Sequence, residues 1–279
     1  FGAGNQLIAS LALTVVTGDS NDPTRIAMLT VSNGATVTFS NWISALEAGS
    51  VRNMGTLTHA PGDSAADTSS RVHIVCGDFE LPAGGSIAVM GKGYRRMQGP
   101  GKGGTDLAFG SGGGGGYGGV GGHGFFAHPG ATGGPTYGVS NAPVGPGSGG
   151  GTTSGGPGGG SVRIDAQRRV TIDGIISASG SNSTLYVGGG GSGGAVWITC
   201  WRLAGGGSIV ATGGDQADSV NKYGGGGGGG RIAVGRIFDI AAGLTYSVRG
   251  GTNGPYDGAN GTVVLYKADF PIGTLLLVH

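Results

Sequence analysis

Two cysteines occupy matching places in the sequence, and their spacing decides whether they can form a disulfide. Cys76 follows Val72 by four positions, and Cys200 follows Val196 by four. If the segments around them stack in chain order, one more segment lies between, which separates the sulfurs by roughly 9–10 Å at the usual strand spacing. A disulfide needs Cα atoms within about 7 Å. The sequence therefore predicts two buried free thiols, and it has no Cys-x-x-Cys pair that could hold a metal.

The other residues capable of chemistry are too dispersed to indicate a catalytic or metal centre. His123 and His128 are neighbours in a glycine-rich stretch, but two ligands do not close a zinc site. A polysaccharide-cleaving centre on a β-helix would need clustered charges on one face; the candidates are Asp165, Arg168, Asp173 and Arg202. We interpret the first two as solvated strand ends. The sequence predicts no enzyme and no cofactor.

Two asparagines stand in N-glycosylation sequons. Asn182 begins "NST" and Asn260 begins "NGT", and both fall in predicted turns. Each is a candidate glycosylation site in a secreted protein.

Composition excludes several classes of protein. Glycine supplies 69 of 279 residues, far above the usual share of roughly 7%. With 16 basic and 15 acidic residues the net charge is +1, which argues against a nucleic-acid partner. No apolar run is long enough to predict a membrane-spanning helix. Charged residues make up only 11%, where roughly 25% is usual, and so little charge favours self-association.

A repeated strand pattern runs through the chain. Glycine-flanked heptads occur at 49–55, 85–91, 174–180 and 207–213, and a longer relative lies at 243–250. Aligning the strands that precede them makes one set of positions equivalent: Val37, Val72, Val162, Val196, Ile232 and Val263. The period is close to 34 residues, apart from one interval that contains a long glycine-rich insertion.

The pattern predicts an all-β fold without an amphipathic helix. Strand-only repeats cannot bury a face alone and must stack on one another. We therefore expect a β-solenoid or parallel β-helix of about 34-residue repeats with polyglycine-rich insertions. A β-sandwich or jelly roll stays open as an alternative, and a β-propeller lacks its signature motifs. Residues 1–279 are expected to form one repeat-built domain, with 99–160 packed on or beside it.

Long glycine tracts precede equivalent strands at 145–160, 188–194 and 224–230. They are either flexible linkers or packed, extended left-handed helices with three residues per turn, like polyproline II. We favour packed helices because the tracts are positionally equivalent and could lie side by side. The insertion also carries the few side chains that could tether the layer or contact a surface: Tyr117, His123, Phe125, Phe126 and Tyr137.

The segments "GGSVRIDAQRRVTIDGIISASG", "GGGGSGGAVWITC" and "GGGGGGRIAV" resemble glycine-rich β-helical regions of bacterial surface and secreted adhesins. The resemblance covers 159–265 well and 35–91 loosely. It implies an extracellular or cell-surface protein with a structural or adhesive role. The polyglycine tracts separately resemble the polyglycine layers of phage adhesins and of glycine-rich antifreeze proteins. An ice-binding face would require a flat threonine array, and the aligned repeats show none.

Three functions follow as expectations. The first is an extracellular filament or surface-layer subunit that joins itself head to tail through apolar terminal strands. Those strands contain Leu7, Ile8, Leu11, Leu13, Val15, Leu275, Leu276, Leu277 and Val278. The second is an adhesin that binds surface glycans or a host receptor through its glycine-rich insertion. The third, a β-helix polysaccharide-active enzyme, is the one we least expect.

Overall fold

The computed structural model describes residues 6–9, 13–15, 24–40, 42–43, 45–62, 70–108, 110–124, 130–185, 187–216, 224–252 and 256–269. This part of the chain is all-β and contains no α-helix. Its strands are β1 (Gln6–Ala9), β2 (Leu13–Val15), β3 (Thr24–Val31), β4 (Thr36–Phe39), β5 (Leu46–Asn53), β6 (Thr56–His59), β7 (Val72–Leu81), β8 (Ser86–Ala88), β9 (Thr105–Asp106), β10 (Ser111–Gly112), β11 (Ser161–Ala166), β12 (Arg169–Ile172), β13 (Ile175–Ser177), β14 (Ala195–Ala204), β15 (Ser208–Val210), β16 (Arg231–Asp239), β17 (Thr245–Ser247) and β18 (Thr262–Lys267).

Two large sheets contain almost all of these strands. Sheet A has the order β1-β3-β5-β7-β11-β14-β16-β18. β12 follows β11 along the chain and, like β11, pairs with β7 on one side and β14 on the other. Sheet B has the order β2-β4-β6-β8-β13-β15-β17. Every described pairing in both sheets is parallel; only the short β9–β10 pair is antiparallel. The antiparallel sandwich or jelly roll is therefore wrong as an alternative.

Alternating side chains explain why these segments form strands. Successive residues of a strand point to opposite faces, so an apolar residue at every second position gives one face to the core. In β11, Val162 and Ile164 are fully buried, and the alternate residues Arg163 and Asp165 face outward. Inward residues of both sheets make one continuous apolar core. Burying a side chain such as Ile164 stabilises the fold by about 1.5–3 kcal/mol.

The structure separates correct from incorrect repeat alignments. Val72, Val162, Val196, Ile232 and Val263 pair with one another in register along sheet A, as the alignment predicts. Val37 does not belong to that row. It lies in β4 of sheet B, between Leu13 and Leu57.

The heptads also divide between the sheets. Residues 86–88, 175–177, 208–210 and 245–247 stack in register in sheet B. The heptad 49–55 lies in sheet A instead, because β5 spans 46–53. Its proper counterpart in sheet B is β6, which begins directly after Gly55. The interval between paired positions also varies, from 20 residues between Val37 and Leu57 to 37 between Ile209 and Tyr246, apart from pairs that span the insertion, such as Val72 and Val162.

Glycine-rich segments pack into a hydrogen-bonded layer, which we call the glycine layer: 112–124, 147–160, 188–194, 211–214, 224–230 and 248–261, without the undescribed 253–255. Amides three positions apart in 225–230 donate to the same neighbouring segment. Gly225 and Gly228 donate to Gly112 and Gly115, Gly226 and Gly229 to Tyr256 and Ala259, and Gly227 and Gly230 to Gly214 and Ala211. This three-residue period is that of a polyproline II-like helix rather than of a strand. None of the glycines in 188–194 or 224–230 has a positive φ.

Close backbone approach explains why these segments are glycine. A Cβ on Gly228 would lie 2.1 Å from the carbonyl oxygen of Gly119, and one on Gly190 would lie 1.9 Å from that of Gly214. Neither neighbour can move away as a flexible side chain could, since both contacts are backbone. The tracts are therefore packed structure rather than free linker.

Candidate functional site

Among the described residues, the N-terminal end of the two sheets has two strand edges without a pairing partner. In the sheet orders, β1 is the first strand of sheet A and β2 the first strand of sheet B. The predicted assembly residues Leu7 and Ile8 lie in β1, and Leu13 and Val15 lie in β2. Ile8 is 57% exposed. Leu11 lies outside the described residues.

The opposite end has the other two edges. Within the described ranges, β18 pairs only with β16, and β17 pairs only with β15. Val263 and Leu265 continue the inward row of sheet A, yet they are 39% and 44% exposed, because no described strand of sheet B faces them. The remaining predicted assembly residues, 275–278, lie outside the described residues. As far as the chain is described, each end therefore has one unpaired edge from each sheet.

A polar network crosses the outer face of sheet A. Asp165 is its centre and accepts hydrogen bonds from His73 Nε2 at 3.2 Å, Arg163 Nε at 2.7 Å and Thr199 Oγ1 at 2.9 Å. Burial pushes the pKa of Asp165 upward, but these hydrogen bonds outweigh it and the pKa lies below its usual value. Burial lowers the pKa of His73 in spite of its contact with Asp165. The pair is thus an ionised carboxylate and a neutral imidazole at neutral pH.

Aromatic rings extend this network across the sheet. The guanidinium of Arg163 lies 4.4 Å from the ring centre of Trp197, a cation–π distance. Trp197 Nε1 donates to the hydroxyl of Tyr266 at 3.0 Å. The ring of Tyr266 can reach it because Gly235 lies beneath: a Cβ there would be 2.7 Å from the ring. The network therefore connects β7, β11, β14 and β18. Because Asp165 already accepts hydrogen bonds from three donors, it has little capacity to act as a base.

The four charged residues considered for a β-helix enzyme are not brought together. Arg168 pairs with Asp78 at 2.5 Å, and Asp173 accepts from the amide of Gly206 at 3.0 Å. Arg202 is exposed on sheet A. Only Asp165 of the four belongs to the polar network.

The cysteines are confirmed as free and buried. Cys76 pairs with Ala166 in the neighbouring strand, and Cys200 lies one strand further on, as the repeat alignment predicts. Burial raises the pKa of both thiols to about 12. Neither sulfur is therefore a reactive thiolate at neutral pH.

The predicted contact residues of the insertion occupy different environments. Tyr117 is fully buried; its ring centre lies 4.7 Å from that of the tilted Tyr137 ring and 5.4 Å from the Arg231 guanidinium. Tyr137 donates to the carbonyl of Pro146 and accepts from Ser148 Oγ. Both tyrosines thus anchor the insertion from inside. His123 is exposed, and Phe125 and Phe126 lie outside the described residues.

Both sequon asparagines are exposed and lie outside the strands. Asn182 Oδ1 accepts from the amide of Asp215 at 2.8 Å, and Asn260 Oδ1 accepts from the amide of Gly250 at 3.1 Å. In both contacts the side-chain oxygen is the acceptor. The side-chain nitrogen, to which a glycan would be attached, takes no part in them.

Within the described ranges, no three His, Cys, Asp or Glu side chains are grouped so that they could hold a metal ion. The same residues include no helix that is long and apolar enough to cross a membrane.

The chain matches no protein-family model, no curated protein and no solved structure. What the protein does must therefore be inferred from its own geometry.

Sequence reasoning missed the polar network, although one signal could have found it. His73, Arg163 and Trp197 each follow an equivalent valine by one position, so correct stacking places them side by side on one outer row.

Proposed function

We propose that this protein is an extracellular structural subunit that assembles head to tail into a filament or surface layer. We further infer that the chain forms a β-solenoid, in which each turn contributes one strand to sheet A and one to sheet B. The observation that carries the proposal is the arrangement of free strand edges. In the part of the chain that the structure describes, both sheets end in unpaired edges at each end of the stack.

Parallel pairing supports head-to-tail addition. Because all strands of a sheet run in one direction, placing β1 of one subunit beside β18 of another would extend sheet A with unchanged polarity. A free strand edge is a template for pairing with another chain. A contact between unlike ends adds subunits indefinitely, unless the rotation from one subunit to the next closes the assembly into a ring.

Exposed apolar side chains at one end also support it. Val263 and Leu265 of β18 are 39% and 44% exposed. Their rows are fully buried in the middle of the stack, for example at Val196 and Val234. A second subunit would remove these side chains from water. The low charge of the chain opposes that association only weakly.

The adhesin alternative has less support. It assigned surface contacts to the insertion, and two of its five residues, Tyr117 and Tyr137, are used internally. Surface glycans or a host receptor stay a proposed partner only for the remaining exposed surface of 99–160.

Substitutions that introduce charge on the edge strand β18 test the assembly. We expect the double variant Val263→Lys, Leu265→Lys to raise the critical concentration for assembly about tenfold or more, since each lysine must be desolvated in the joint. The control is Leu107→Lys, at a site 91% exposed and outside the strands of both large sheets. Sedimentation velocity and negative-stain images over a dilution series measure the effect. Equal assembly of the double variant and the control would refute the terminal-strand joint.

A further inference from the structure

A cleft separate from the strand edges lies where four distant segments of the chain meet. These are the connection after β6, the loop 91–98 after β8, the insertion around 155–157 and the bend at Thr184. The cleft has a volume of about 420 Å³, and small-molecule sites usually have roughly 300–1,000 Å³. Its lining residues belong to none of the edge strands β1, β2, β17 and β18.

The described lining of this cleft is positively charged. It contains the consecutive residues Arg95 and Arg96 and no acidic side chain. Arg95 Nε donates to the carbonyl of Gly62 at 3.0 Å, and Arg96 Nη1 donates to the carbonyl of Thr153. A guanidinium has five N–H donors, so one bond to a backbone carbonyl orients the Arg96 side chain without exhausting it.

Backbone strain is concentrated at the same place. Among the described residues, Met97 and Thr152 are the two other than glycine that have a positive φ, at 61° and 71°. Met97 lies between Arg96 and Gln98, and Thr152 directly precedes the residue whose carbonyl holds Arg96. Left-handed backbone is unfavourable for a residue with a side chain. It persists where the surrounding structure imposes it, and such positions cluster at ligand sites.

Two further features of the lining describe the ligand. Gln98 Oε1 is buried and has no hydrogen-bond partner among the described residues, so this acceptor lacks a donor. Pro61 and Pro157 contribute apolar surface. A single inorganic anion would use neither the acceptor nor the apolar surface. The ligand that fits is an organic anion that also has hydroxyl groups.

We propose that this cleft binds a small organic carboxylate with hydroxyl groups, either an acidic monosaccharide or a hydroxy acid. The planar guanidinium of Arg96 matches a carboxylate, with which arginine forms paired N–H···O bonds. Gln98 Oε1 accepts a hydrogen bond from a ligand hydroxyl, and the two proline rings pack against the carbon skeleton. The proposed assembly uses the edge strands, so either proposal can fail without the other.

Isothermal titration calorimetry at physiological salt tests the proposal with four probes: glucuronate, citrate, glucose and inorganic phosphate. We expect at least one of the two carboxylates to bind, and glucose and phosphate to bind at least about tenfold more weakly. Binding of glucuronate alone identifies an acidic sugar as the ligand. Binding of citrate alone identifies a hydroxy acid, and binding of both supports the shared chemistry.

Variants of Arg96 assign the binding to this cleft. Arg96→Gln should lower the affinity for the carboxylate at least about tenfold, since the charged hydrogen bonds are lost. Arg96→Lys keeps the charge but not the paired geometry, and it should also bind more weakly. It serves if Arg96→Gln does not fold, which circular dichroism checks. The control is Arg202→Gln, at an exposed position on sheet A, which should bind like the wild type.

Four outcomes would overturn the proposal. If neither carboxylate binds, the cleft is not a site for this class of ligand. If glucose binds as tightly as glucuronate, the arginines do not recognise the charge. If phosphate binds as tightly as the better carboxylate, the cleft is a site for any anion. If both Arg96 variants keep the wild-type affinity, the carboxylate binds elsewhere.

Discussion

At the scale of single residues, the absence of side chains determines much of this structure. In the glycine layer most backbone amides donate to a carbonyl group of a neighbouring segment, and the segments are close enough to exclude even a methyl group. Ordering glycine is entropically expensive, so these hydrogen bonds and contacts must offset an unusually large cost. Where a side chain is buried among them, as at Tyr117, it fills a defined place against Arg231 and Tyr137.

Alanine in the glycine layer should destabilise the protein sharply. Gly228→Ala places a Cβ 2.1 Å from a backbone oxygen, and we expect a loss of about 3 kcal/mol or more, because the backbone must shift. Gly145→Ala is the control: the nearest atom to its Cβ is 3.7 Å away, in Tyr137. It should be neutral or stabilise by up to about 1 kcal/mol. Denaturant unfolding measures both, and equal effects would mean that the layer is not tightly packed.

His59 should make stability depend on pH. Burial lowers its pKa from 6.5 to about 4, partly opposed by the hydrogen bond to the Ala60 carbonyl. Nε2 accepts from the amide of Ser161, which fixes the start of β11. Because the folded pKa lies below the unfolded one, the unfolded state binds the proton more tightly. Stability is therefore full above pH 6.5 and falls as the pH drops to 4, by about 3 kcal/mol at roughly 1.4 kcal/mol per pKa unit.

The variant His59→Gln should lose this component and flatten the stability curve between pH 6.5 and 4. The exposed His123→Gln is the control and should keep the wild-type curve. Free energies of unfolding over this range decide the matter; an unchanged slope in His59→Gln would contradict the assignment.

At the scale of strands, the outer face of sheet A contains ion pairs in two different environments. In the polar network, the side chains of Asp165 and Arg163 are 21% and 31% exposed. At the edge of the same face, those of Asp78 and Arg168 are 43% and 63% exposed. Solvent screens the second pair, whereas the first is held among His73, Thr199 and the Trp197 ring.

Removing the two carboxylates should therefore have unequal effects. Asp165→Asn removes an ionised acceptor from three donors, and we expect a loss of about 2–3 kcal/mol. Asp78→Asn should cost less than about 1 kcal/mol. The comparison of unfolding midpoints is internally controlled, since both residues lie on one sheet. A larger loss for Asp78→Asn would contradict the described network.

Strand pairing also shows what the sequence could and could not predict. Alternation and the valine row gave the correct register for Val72, Val162, Val196, Ile232 and Val263, because a buried row tolerates little besides branched apolar residues. The N-terminal half was misaligned for two reasons. The intervals between its paired strands are shorter, and Gly49 was mistaken for the glycine that precedes a sheet B strand. That error moved Val37 to the wrong sheet. The polar network was missed because its members are separated by up to 193 positions in sequence, from His73 to Tyr266.

At the scale of the whole molecule, the two sheets and the glycine layer form a stack with distinct sides and two open ends. The sides differ in chemistry: charged and aromatic on sheet A, neutral and hydroxylated on sheet B, and nearly free of side chains in the glycine layer. Among the described residues, both ends have unpaired parallel edges, and Val263 and Leu265 are exposed at one of them. The proposed assembly uses these ends.

The most direct test of the assembly is a cryo-electron microscopy reconstruction of the purified chain after concentration. The proposed function predicts filaments or sheets in which β1 of one subunit runs parallel beside β18 of the next, so that sheet A continues across the joint. A chain that stays monomeric at every concentration, or an assembly joined through the sides of the stack with its strand edges free, would contradict it.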